Sequence, residues 1–411
     1  MRVAIVGGGA AGMMCAATIA EEYPDVDIFL LEKNASLGKK VIISGGGRCN
    51  VTTGIEDIAQ VLEKYPRGNK FLQSAMHRFS PIMVYAWFEA HGVPLKCEDD
   101  LRVFPVSNNG KDIVAVFEDL FEEKNVQVLY KHNVQHITKQ DTGFVLSLKD
   151  QEDLEVDNVV MALGGQAYRH TGSTGDGYDM IEQLGHTITP LAPSLNSFLT
   201  KESWPKTLSG LSFQKATIFV YGQKKKYTST GPFLFTHMGV SGPAVFALSS
   251  RIAFLEYDKE TPLDIRIDIF PDMAEEKLLE QLQQTRETSM QKTFKNTLPH
   301  LVAKSFAETV CQELNIPLDK KNADMSKKEL SRVAAFVKGL PLQVIGRGAG
   351  DEFVTAGGVE LSEVDPKTME SKICPGLFFA GEILDIDGYT GGFNLQASWA
   401  TGNAAGLAIG K

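Results

Sequence analysis

Residues 3–32 read VAIVGGGAAGMMCAATIAEEYPDVDIFLLE, which predicts a strand, a glycine turn, a helix and a second strand. The glycines have G-x-G-x-x-G spacing: the first permits a tight turn, the second lets backbone N–H groups approach a pyrophosphate, and the third lets the helix pack closely on the strand. The helix, expected over residues 11–22, would direct the positive end of its dipole at the phosphates. A carboxylate at the end of the second strand would accept hydrogen bonds from a ribose. The stretch therefore predicts a dinucleotide site whose residues are Gly7, Gly9, Ala10, Ala11, Gly12 and Glu32.

Two further segments indicate which dinucleotide binds. FAD needs contacts to its ribityl chain and isoalloxazine ring that NAD does not need. Residues 38–50, GKKVIISGGGRCN, combine three successive glycines with basic side chains. Residues 376–402, GLFFAGEILDIDGYTGGFNLQASWATG, predict a buried strand and a helix that begins near the Gly391-Gly392 pair. The N-terminus of this helix would face the pyrimidine edge of a flavin, where negative charge accumulates on reduction. We therefore expect FAD.

These motifs resemble those of the BaiN/YhiN-like FAD-dependent oxidoreductases, a family that includes aminoacetone oxidase and bile-acid enone reductase members. The matching segments extend from Val6 to Gln396 and are VGGGAAG, ISGGGRCN, ALGG with TGSTGDGY, LFTHMGVSGPA, TAGGVEL and GEILDIDGYTGGFNLQ. The resemblance implies an α/β fold, with a glutathione-reductase-like, Rossmann-type FAD-binding domain interrupted by an inserted domain. It also implies a β-meander whose backbone near Val134 contacts adenine. It does not fix a substrate.

The remaining predicted cofactor contacts follow from the same motifs. They are Lys33, Lys39, Lys40, Ser44, Gly45, Gly46, Arg48, Cys49, Asn50, Val134, Ala162, Gly164, Gly165, Gly381, Glu382, Asp385, Gly391, Gly392, Phe393, Asn394 and Gln396. The chain has five cysteines and no C-x-x-C pair, so a disulfide-relay reductase is disfavoured. We expect Cys49 to pack against the phosphate loop rather than to react.

Composition indicates an intracellular enzyme. At 411 residues the chain exceeds the size of one core, and its apolar content of 43 % suits a soluble protein. The net charge of −10 makes nucleic acid and anionic membranes unfavourable partners. The first strand starts next to Met1 and no apolar stretch is long enough to span a membrane, so we expect a cytoplasmic protein. His132 and His136 have helical spacing within a strand region, and we predict no metal site.

Patterning predicts where the flavin domain is interrupted. The expected divisions are the first part of the FAD-binding domain at 1–195, an inserted β subdomain at 196–270, a helical subdomain at 271–340 and the C-terminal part of the FAD-binding domain at 341–411. Residues 263–270 alternate apolar and charged side chains, which predicts an antiparallel strand with one wet face. Asp272-x-x-Glu275 and Ser326-x-x-Glu329 are predicted capping boxes. The Lys224–Lys226 run is expected to be a solvated hairpin turn.

A second nucleotide-binding unit is not predicted. The glycines at 346–350 lack a following helix, and those at 172–177 have the wrong spacing for a phosphate loop. A dedicated NAD(P)H domain is therefore not expected. NAD(P)H could still act as a transient co-substrate that reduces the flavin through an open face.

Substrate-site candidates lie on loops able to approach the ring. His237, in FTHMG, could position a carbonyl or amine and carry a proton, or it could only tie its glycine-rich loop, with Ser241, to the flavin domain. Tyr389 could stack over the substrate or serve as a rim residue. Arg102 could anchor a carboxylate or be structural.

Three functions stay open from the sequence. The first is hydride transfer between a small organic substrate and FAD, with NAD(P)H as the expected other redox partner. The second is an oxygen-dependent amine oxidase, of the aminoacetone type, that produces peroxide. The third is an RNA-associated or non-catalytic flavoprotein, which the net acidity disfavours.

Overall fold

The computed structural model describes residues 1–222, 225–348 and 353–410. Its strands, in chain order, are β1 Arg2–Val6, β2 Asp27–Glu32, β3 Thr52–Thr53, β4 Leu95–Cys97, β5 Arg102–Pro105, β6 Gln127–Tyr130, β7 Val134–Lys139, β8 Phe144–Leu148, β9 Leu154–Val156, β10 Asn158–Met161, β11 Ala192–Ser194, β12 Phe198–Thr200, β13 Ser212–Tyr221, β14 Lys226–Phe235, β15 Gly239–Ser241, β16 Leu263–Asp268, β17 Leu340–Arg347, β18 Val354–Ala356 and β19 Leu377–Phe379.

Its α-helices are α1 Ala10–Glu22, α2 Lys39–Ile43, α3 Ile58–Leu62, α4 Gln73–Arg78, α5 Pro81–Ala90, α6 Gly110–Glu123, α7 Asp176–Gln183, α8 Trp204–Thr207, α9 Pro243–Arg251, α10 Glu275–Thr288, α11 Phe294–Thr297, α12 Lys304–Glu313, α13 Lys327–Lys338 and α14 Phe393–Ile409. The chain forms two compact units: unit 1 contains Met1–Ser194 and Glu352–Lys411, and unit 2 contains Leu195–Asp351. The FAD-binding fold predicted from the sequence is the fold of unit 1.

Unit 1 is built on a sheet of parallel strands in the order β19-β10-β1-β2-β6. Its central strands are buried on both faces, as their continuous apolar runs predict. Residues 154–161 form two strands rather than one, because the chain breaks at Asp157, whose carboxylate accepts the Arg2 N–H at 2.6 Å. Of these two, β9 joins a meander with β7 and β8, and β10 joins the parallel sheet.

Two helices of unit 1, α1 and α14, pack closely on each other. A Cβ added to Gly402 of α14 would collide with the carbonyl oxygen of Ala11 in α1. Near the other end, the Tyr23 hydroxyl donates to the Leu407 carbonyl at 2.9 Å. Nearly all of α1 is buried, so its apolar surface is covered all round rather than on one stripe.

Unit 2 contains a closed barrel in the order β12-β15-β14-β13-β16-β17. The alternation predicted over residues 263–270 is confirmed, since Ile265 and Ile267 are fully buried and Asp264 and Arg266 are exposed. Strand β17 pairs with both β16 and β12 and therefore closes this barrel. The predicted return to the flavin domain at residue 341 is thus wrong: Gly346 and Arg347 still belong to the barrel.

Two sequence features of unit 2 include residues that lie outside the described ranges. A hairpin turn joins β13 to β14, where the Gly222 N–H donates to the Lys225 carbonyl at 2.9 Å. Lys224, in the predicted lysine turn, lies outside the described residues. Ala349 and Gly350 of the rejected second glycine motif also lie outside them.

The helices of unit 2 confirm one capping box and exclude the other. The Ser326 hydroxyl accepts the Glu329 N–H at 3.2 Å, while the Glu329 carboxylate accepts the Ser326 N–H at 2.9 Å, so α13 begins as predicted. Helix α10 instead has Ala274 at its N-cap, and Asp272 forms an ion pair with Lys215 at 2.6 Å. The Asp272 carboxylate therefore pairs with Lys215 of β13 instead of capping α10.

Candidate functional site

The carboxyl ends of the parallel strands in unit 1 bring the predicted glycine and acidic motifs to one edge of the sheet. Gly7 follows β1, Glu32 ends β2, Ala162 follows β10 and Gly381 comes after β19. Strand order reverses between β1 and β10, because β1 continues through α1 to β2 on its other side. A crevice at such a switch point is where open α/β sheets bind their ligands.

The fingerprint loop has the geometry that its glycines predict. The Gly7 N–H donates to the Leu31 carbonyl at 2.9 Å, and a Cβ on Gly12 would collide with the carbonyl oxygen of Gly7. The space beside Gly9 is open, with no described atom within 4 Å of a Cβ built there. No acidic residue stands in the first turn of α1, so the backbone N–H groups of Ala10 and Ala11 face an edge suited to an anion.

Glu32 is nearly buried and held in place by two neighbouring segments. Its exposed fraction is 8 %, and its Oε2 accepts the Gly8 N–H at 3.0 Å. Its Oε1 accepts both the backbone N–H and the side-chain amide of Asn34 at 2.7 Å. The backbone that leads into Val134 is also close, because the His132 N–H donates to the Glu32 carbonyl at 3.1 Å. Sequence reasoning missed Asn34, although its position two residues after the acid is a signal for a side-chain-to-backbone turn.

The predicted lysines are already paired within unit 1. Lys33 Nζ lies 2.8 Å from the Asp176 carboxylate, and Lys39 Nζ donates to the Asn34 amide oxygen at 3.0 Å. Lys40 Nζ lies 2.5 Å from the carboxylate of Glu382, so the segment after β2 is tied to the segment after β19. To contact phosphate directly, these lysines would have to leave their present partners.

The SGGGRCN segment forms a tight turn after α2. The Ser44 hydroxyl donates to the Val41 carbonyl at 2.8 Å, and Gly45 and Gly46 have positive φ values of 58° and 73°. The space beside Gly46 is open. Arg48 stacks on Phe104, with 3.7 Å from its Cζ to the ring centroid, and pairs with Glu98 at 2.7 Å.

Cys49 and Asn50, at the end of this turn, differ in their suitability for contact with a ligand. Cys49 is fully buried, and burial raises the pKa of its thiol to about 12. A thiol with so high a pKa is not a nucleophile near neutral pH. The Asn50 side-chain oxygen is buried and has no hydrogen-bond partner among the described residues. An unpaired buried amide oxygen is a candidate ligand contact.

The segment after β19 holds acidic groups in a buried setting. The Glu382 carboxylate accepts the Thr355 N–H at 2.8 Å in addition to its pair with Lys40. One carboxylate oxygen of Asp385 is buried without a described partner, and burial raises the pKa of this acid. The Tyr178 hydroxyl is likewise buried and unpaired among the described residues, and burial raises its pKa above the usual range. Sequence reasoning missed Tyr178, which ends the TGSTGDGY motif.

The N-terminal turn of α14 is rigid and free of acidic side chains. The Asn394 side chain joins both backbone groups of Gly388, at 2.8 Å each, and Gly391 and Gly392 have φ values of 129° and 90°. The Tyr65 hydroxyl donates to the Phe393 carbonyl at 2.6 Å. These bonds fix the start of α14.

Gln396 and Tyr389 lie close in sequence to this turn and are both held by hydrogen bonds. Gln396 is fully buried, and its amide accepts from the Thr52 hydroxyl at 2.6 Å and donates to the Phe79 carbonyl at 2.9 Å. The Gln396 side chain is therefore already satisfied by protein groups, and its contact with a cofactor stays a prediction. Tyr389 is half-buried, and its N–H donates to the Lys64 carbonyl at 2.9 Å.

Helices α1 and α14 present their N-termini in a staggered arrangement. Gly402 lies against Ala11, and Gly406 lies against the Cys15 carbonyl, so the two helices run parallel. Gly402 is nine residues into α14, whereas Ala11 is one residue into α1. At 1.5 Å of rise per residue, the offset of eight residues places the start of α14 about 12 Å beyond the start of α1. Two anion-attracting helix N-termini thus lie side by side, offset along the helix direction.

A loop that follows β10 borders the same edge of the sheet. It begins at Ala162, Gly164 and Gly165, and the Ser173 hydroxyl donates to the Gly165 carbonyl at 2.9 Å. The Gln166 N–H donates to the Thr355 hydroxyl at 2.7 Å. The loop is therefore fixed beside Glu382, through Thr355.

His237 lies in unit 2, in the turn between β14 and β15, and its side chain is exposed. The Thr236 hydroxyl accepts the N–H groups of Met238 and Gly239 at 3.3 and 3.1 Å. The loop is thus ordered by Thr236, and the structural role of His237, tying this loop to the flavin domain, stays a prediction. Its role in chemistry stays a prediction.

The fold and the fingerprint define a Rossmann-type dinucleotide-binding protein. The chain belongs to the HI0933-like family, whose Rossmann-domain model matches residues 1–408. This match confirms the identification with the BaiN/YhiN-like FAD-dependent oxidoreductases that the motifs indicated. The described residues contain no helix long and apolar enough to cross a membrane.

Relatives and solved structures are similar along the whole chain. The chain is 27 % identical to a 3-dehydro-bile acid delta(4,6)-reductase of Clostridium scindens, over 100 % of this chain and 99 % of the relative. It is 29 % identical to a ribosomal RNA dihydrouridine synthase of Haemophilus influenzae, over 99 % of this chain and 98 % of the relative. A 3-ketosteroid delta1-dehydrogenase from Sterolibacterium denitrificans has a similar fold, with a TM-score of 0.52 at 14 % identity over 99 % of both chains.

Proposed function

We propose that unit 1 binds FAD along the carboxyl edge of its sheet and that the protein passes a hydride between the flavin and a carbon–carbon double bond conjugated to a carbonyl. The observation that carries the FAD site is the stagger of about 12 Å between the starts of α1 and α14, calculated from the helical rise. The open space beside Gly9 and Gly46 and the unpaired Asn50 oxygen support the fit.

Each group of residues has a distinct task in this proposal. The N–H groups at the start of α1 bind the pyrophosphate, and Glu32 accepts hydrogen bonds from the adenosine ribose. The N–H groups at the start of α14 stabilise negative charge at the pyrimidine edge of the ring. Bound FAD supplies the hydride acceptor and donor. The protein excludes water and orients the substrate, for which His237 and Tyr389 are the candidate residues.

The double bond as the reacting group is supported by the names of the relatives. A bile-acid delta(4,6)-reductase and a dihydrouridine synthase act on different molecules, yet each name describes the saturation of a carbon–carbon double bond in a ring that carries a carbonyl. We expect a small cyclic enone as substrate, with NAD(P)H as the other redox partner.

The decisive experiment is stopped-flow spectroscopy under argon. The yellow protein is mixed with NADH or NADPH, and the reduced flavin is then mixed with 4-androstene-3,17-dione as a cyclic enone. Bleaching by a pyridine nucleotide followed by enone-dependent return of the yellow colour is the expected result. Bleaching by aminoacetone with rapid recovery in air and formation of peroxide would instead establish the amine oxidase alternative.

Uracil in RNA is the second candidate substrate. Two relatives that each match almost the whole chain, from Haemophilus influenzae and Escherichia coli, are named ribosomal RNA dihydrouridine synthases. The expectation of no nucleic-acid partner from the net charge stays a prediction. Incubating the NADPH-reduced protein with ribosomal RNA transcripts and measuring dihydrouridine by mass spectrometry tests it.

His237 is expected to affect turnover more than FAD binding. A His237→Ala variant should remain yellow while the rate of substrate-dependent flavin oxidation or reduction falls by about 100-fold or more, if the imidazole transfers a proton. The pH dependence of that rate should flatten. Equal rates in variant and parent across pH would remove His237 from the mechanism and make Tyr389 the next candidate.

A further inference from the structure

The barrel of unit 2 carries aromatic side chains on its outward face. Along β13, Ile218 and Val220 are buried inside the barrel, so the alternation of the strand turns Phe219 and Tyr221 outward. Tyr221 is 67 % exposed, and Phe219 is half-buried. Their ring centroids lie 6.0 Å apart with an interplanar angle of 82°. Neighbouring rings on the wet face of a sheet are candidates for binding a partner.

Basic side chains lie beside these two rings. Lys226 of β14 is the register partner of Tyr221, and its Nζ lies 4.0 Å from the ring centroid of Phe219 and 5.4 Å from that of Tyr221. Arg266 of β16 is the register partner of Phe219 and is exposed. Lys225, which precedes Lys226, is exposed as well. Within the described part of the chain, none of these three cations forms an ion pair.

The charge balance of unit 2 suits an anionic partner. The two acids of β16 are already bonded, because Asp264 accepts the Gln343 amide at 3.0 Å and Asp268 pairs with Lys338 at 2.6 Å. Unit 2 has 21 Lys and Arg against 17 Asp and Glu, a net charge of +4, whereas unit 1 has 20 against 34, a net charge of −14. The acidity of the whole chain therefore comes from unit 1, and the electrostatic argument against nucleic acid does not apply to unit 2.

We propose that the outward face of β13, β14 and β16, with Phe219, Tyr221, Lys226 and Arg266, binds a single-stranded segment of RNA. Aromatic rings on a sheet stack on unpaired bases, while basic side chains beside them neutralise the phosphates. The bases of a duplex are stacked within the helix and are not free to pack on Tyr221. This inference rests on the second candidate function, uracil in RNA as the substrate, and names the surface that holds the RNA.

The test measures the fluorescence anisotropy of a fluorescein-labelled oligouridylate of about 12 nucleotides, a length within the usual site sizes, mixed with the oxidised, FAD-loaded full-length protein. Tyr221→Ala should weaken binding by about tenfold or more, because one stacking surface is lost, and Tyr221→Phe should stay within about threefold of the parent. Lys226→Gln should weaken binding and lower the slope of log Kd against log salt concentration by about 0.7, the contribution of one phosphate contact in a single strand.

Controls separate this surface from folding and from general attraction to polyanions. Lys277→Gln removes an exposed lysine of α10 and should leave binding unchanged, and all variants should keep the FAD content of the parent. The same RNA annealed to its complement should bind more weakly than the single strand, because its bases are no longer free to stack. Equal dissociation constants for parent, Tyr221→Ala and Lys226→Gln would overturn the surface. Binding of the parent to phosphatidylserine vesicles but not to RNA would also overturn it.

The same variants distinguish the binding surface from the reaction. Binding that depends on Tyr221 and Lys226, without formation of dihydrouridine by the NADPH-reduced protein, would retain the surface and reject RNA as the substrate. Dihydrouridine formed with the same KM by the parent, Tyr221→Ala and Lys226→Gln would retain the function and overturn the surface.

Discussion

The Glu32 carboxylate organises the adenosine side of the candidate site through three accepted hydrogen bonds. Glu32→Ala should weaken FAD retention by about 1.5–3 kcal/mol, the usual contribution of hydrogen bonds to a charged group. The measurement is the FAD dissociation constant of the deflavinated and reconstituted protein.

Asn34→Ala is the matched control for Glu32. It removes the amide that orders the carboxylate but leaves the carboxylate available to a ribose. A smaller loss in Asn34→Ala than in Glu32→Ala would indicate direct ribose contact. Unchanged FAD affinity in Glu32→Ala would contradict the assigned role.

His186 predicts a pH dependence of stability that is separate from the flavin. Its side chain is buried between the Glu363 carboxylate at 3.0 Å and the Ser371 hydroxyl at 2.7 Å. Burial lowers the pKa of His186 below its ordinary value of 6.5, although Glu363 opposes this. The unfolded chain then binds more protons than the folded chain, so stability is lost as pH falls below about 6.5.

The unfolding midpoint of the parent should therefore drop between pH 7.5 and pH 5.5 by more than that of His186→Gln. The glutamine can bond to both partners without taking up a proton. His77→Gln, a change at an exposed histidine of α4, should leave the parent's pH dependence intact. A pH dependence in His186→Gln equal to that of the parent would exclude this residue as its source.

At the scale of elements, the contact between α1 and α14 sets the distance between the two ends of the candidate site. Gly402 is required there because the carbonyl oxygen of Ala11 occupies the place of a side chain. Gly402→Ala should force the helices apart and destabilise the fold by about 1–3 kcal/mol, as overpacking usually does. Chemical denaturation of the purified variant measures this loss.

Gly231→Ala provides the control for Gly402→Ala. A Cβ at Gly231 would make only ordinary contacts, the nearest at 3.7 Å, so the variant should be close to the parent in stability. If Gly402→Ala is as stable as this control, the close approach of the two helices is not required. FAD affinity of Gly402→Ala should fall together with its stability, because the shift changes the stagger of the helix ends.

Local sequence patterns predicted helices and strands well, but they predicted contacts between distant residues poorly. The capping box at Ser326 was correct because both of its hydrogen bonds join residues three apart. The same pattern at Asp272 failed, since Lys215, 57 residues away, pairs with that carboxylate. Helix α6 begins at Gly110 with another local bond, in which the Asn109 side chain accepts the Lys111 N–H.

At the scale of the whole molecule, the chain leaves unit 1 after one strand and re-enters it just before the strand that pairs with it. The residues Ser194 and Val354 are register partners in the antiparallel pair β11–β18 of unit 1. The ends left by removing the intervening segment are therefore adjacent. Deleting residues 195–353 and joining Ser194 to Val354 through an Asn-Gly turn should give a soluble protein that binds ADP.

The deletion product is expected to be less stable than the full chain, and equilibrium dialysis with ADP is the measurement. The parent and the Glu32→Ala form of the deletion product serve as positive and negative controls. A folded deletion product that does not bind ADP would contradict the assignment of the adenosine half of the site to unit 1.

The sequence by itself determined the nucleotide-binding fold, the family and the residues that meet at the carboxyl edge of the sheet. Strand, glycine turn, helix and acid follow one another within residues 3–32, so their geometry depends on local backbone sterics and on which faces are apolar. The parallel order of the strands then brings the later glycine motifs to the same edge.

Only the tertiary structure decided which side chains face the site and which are already satisfied. Gln396 and Cys49 lie within cofactor motifs, yet both side chains are fully buried, and Gln396 is bonded to Thr52 and Phe79 in distant segments. Strand β17 belongs to the barrel because its partners are β12 and β16, and Tyr168 meets Phe353 across 185 residues of sequence. Periodicity predicts that a face is buried, but the identity of its partner depends on packing between segments far apart in the chain.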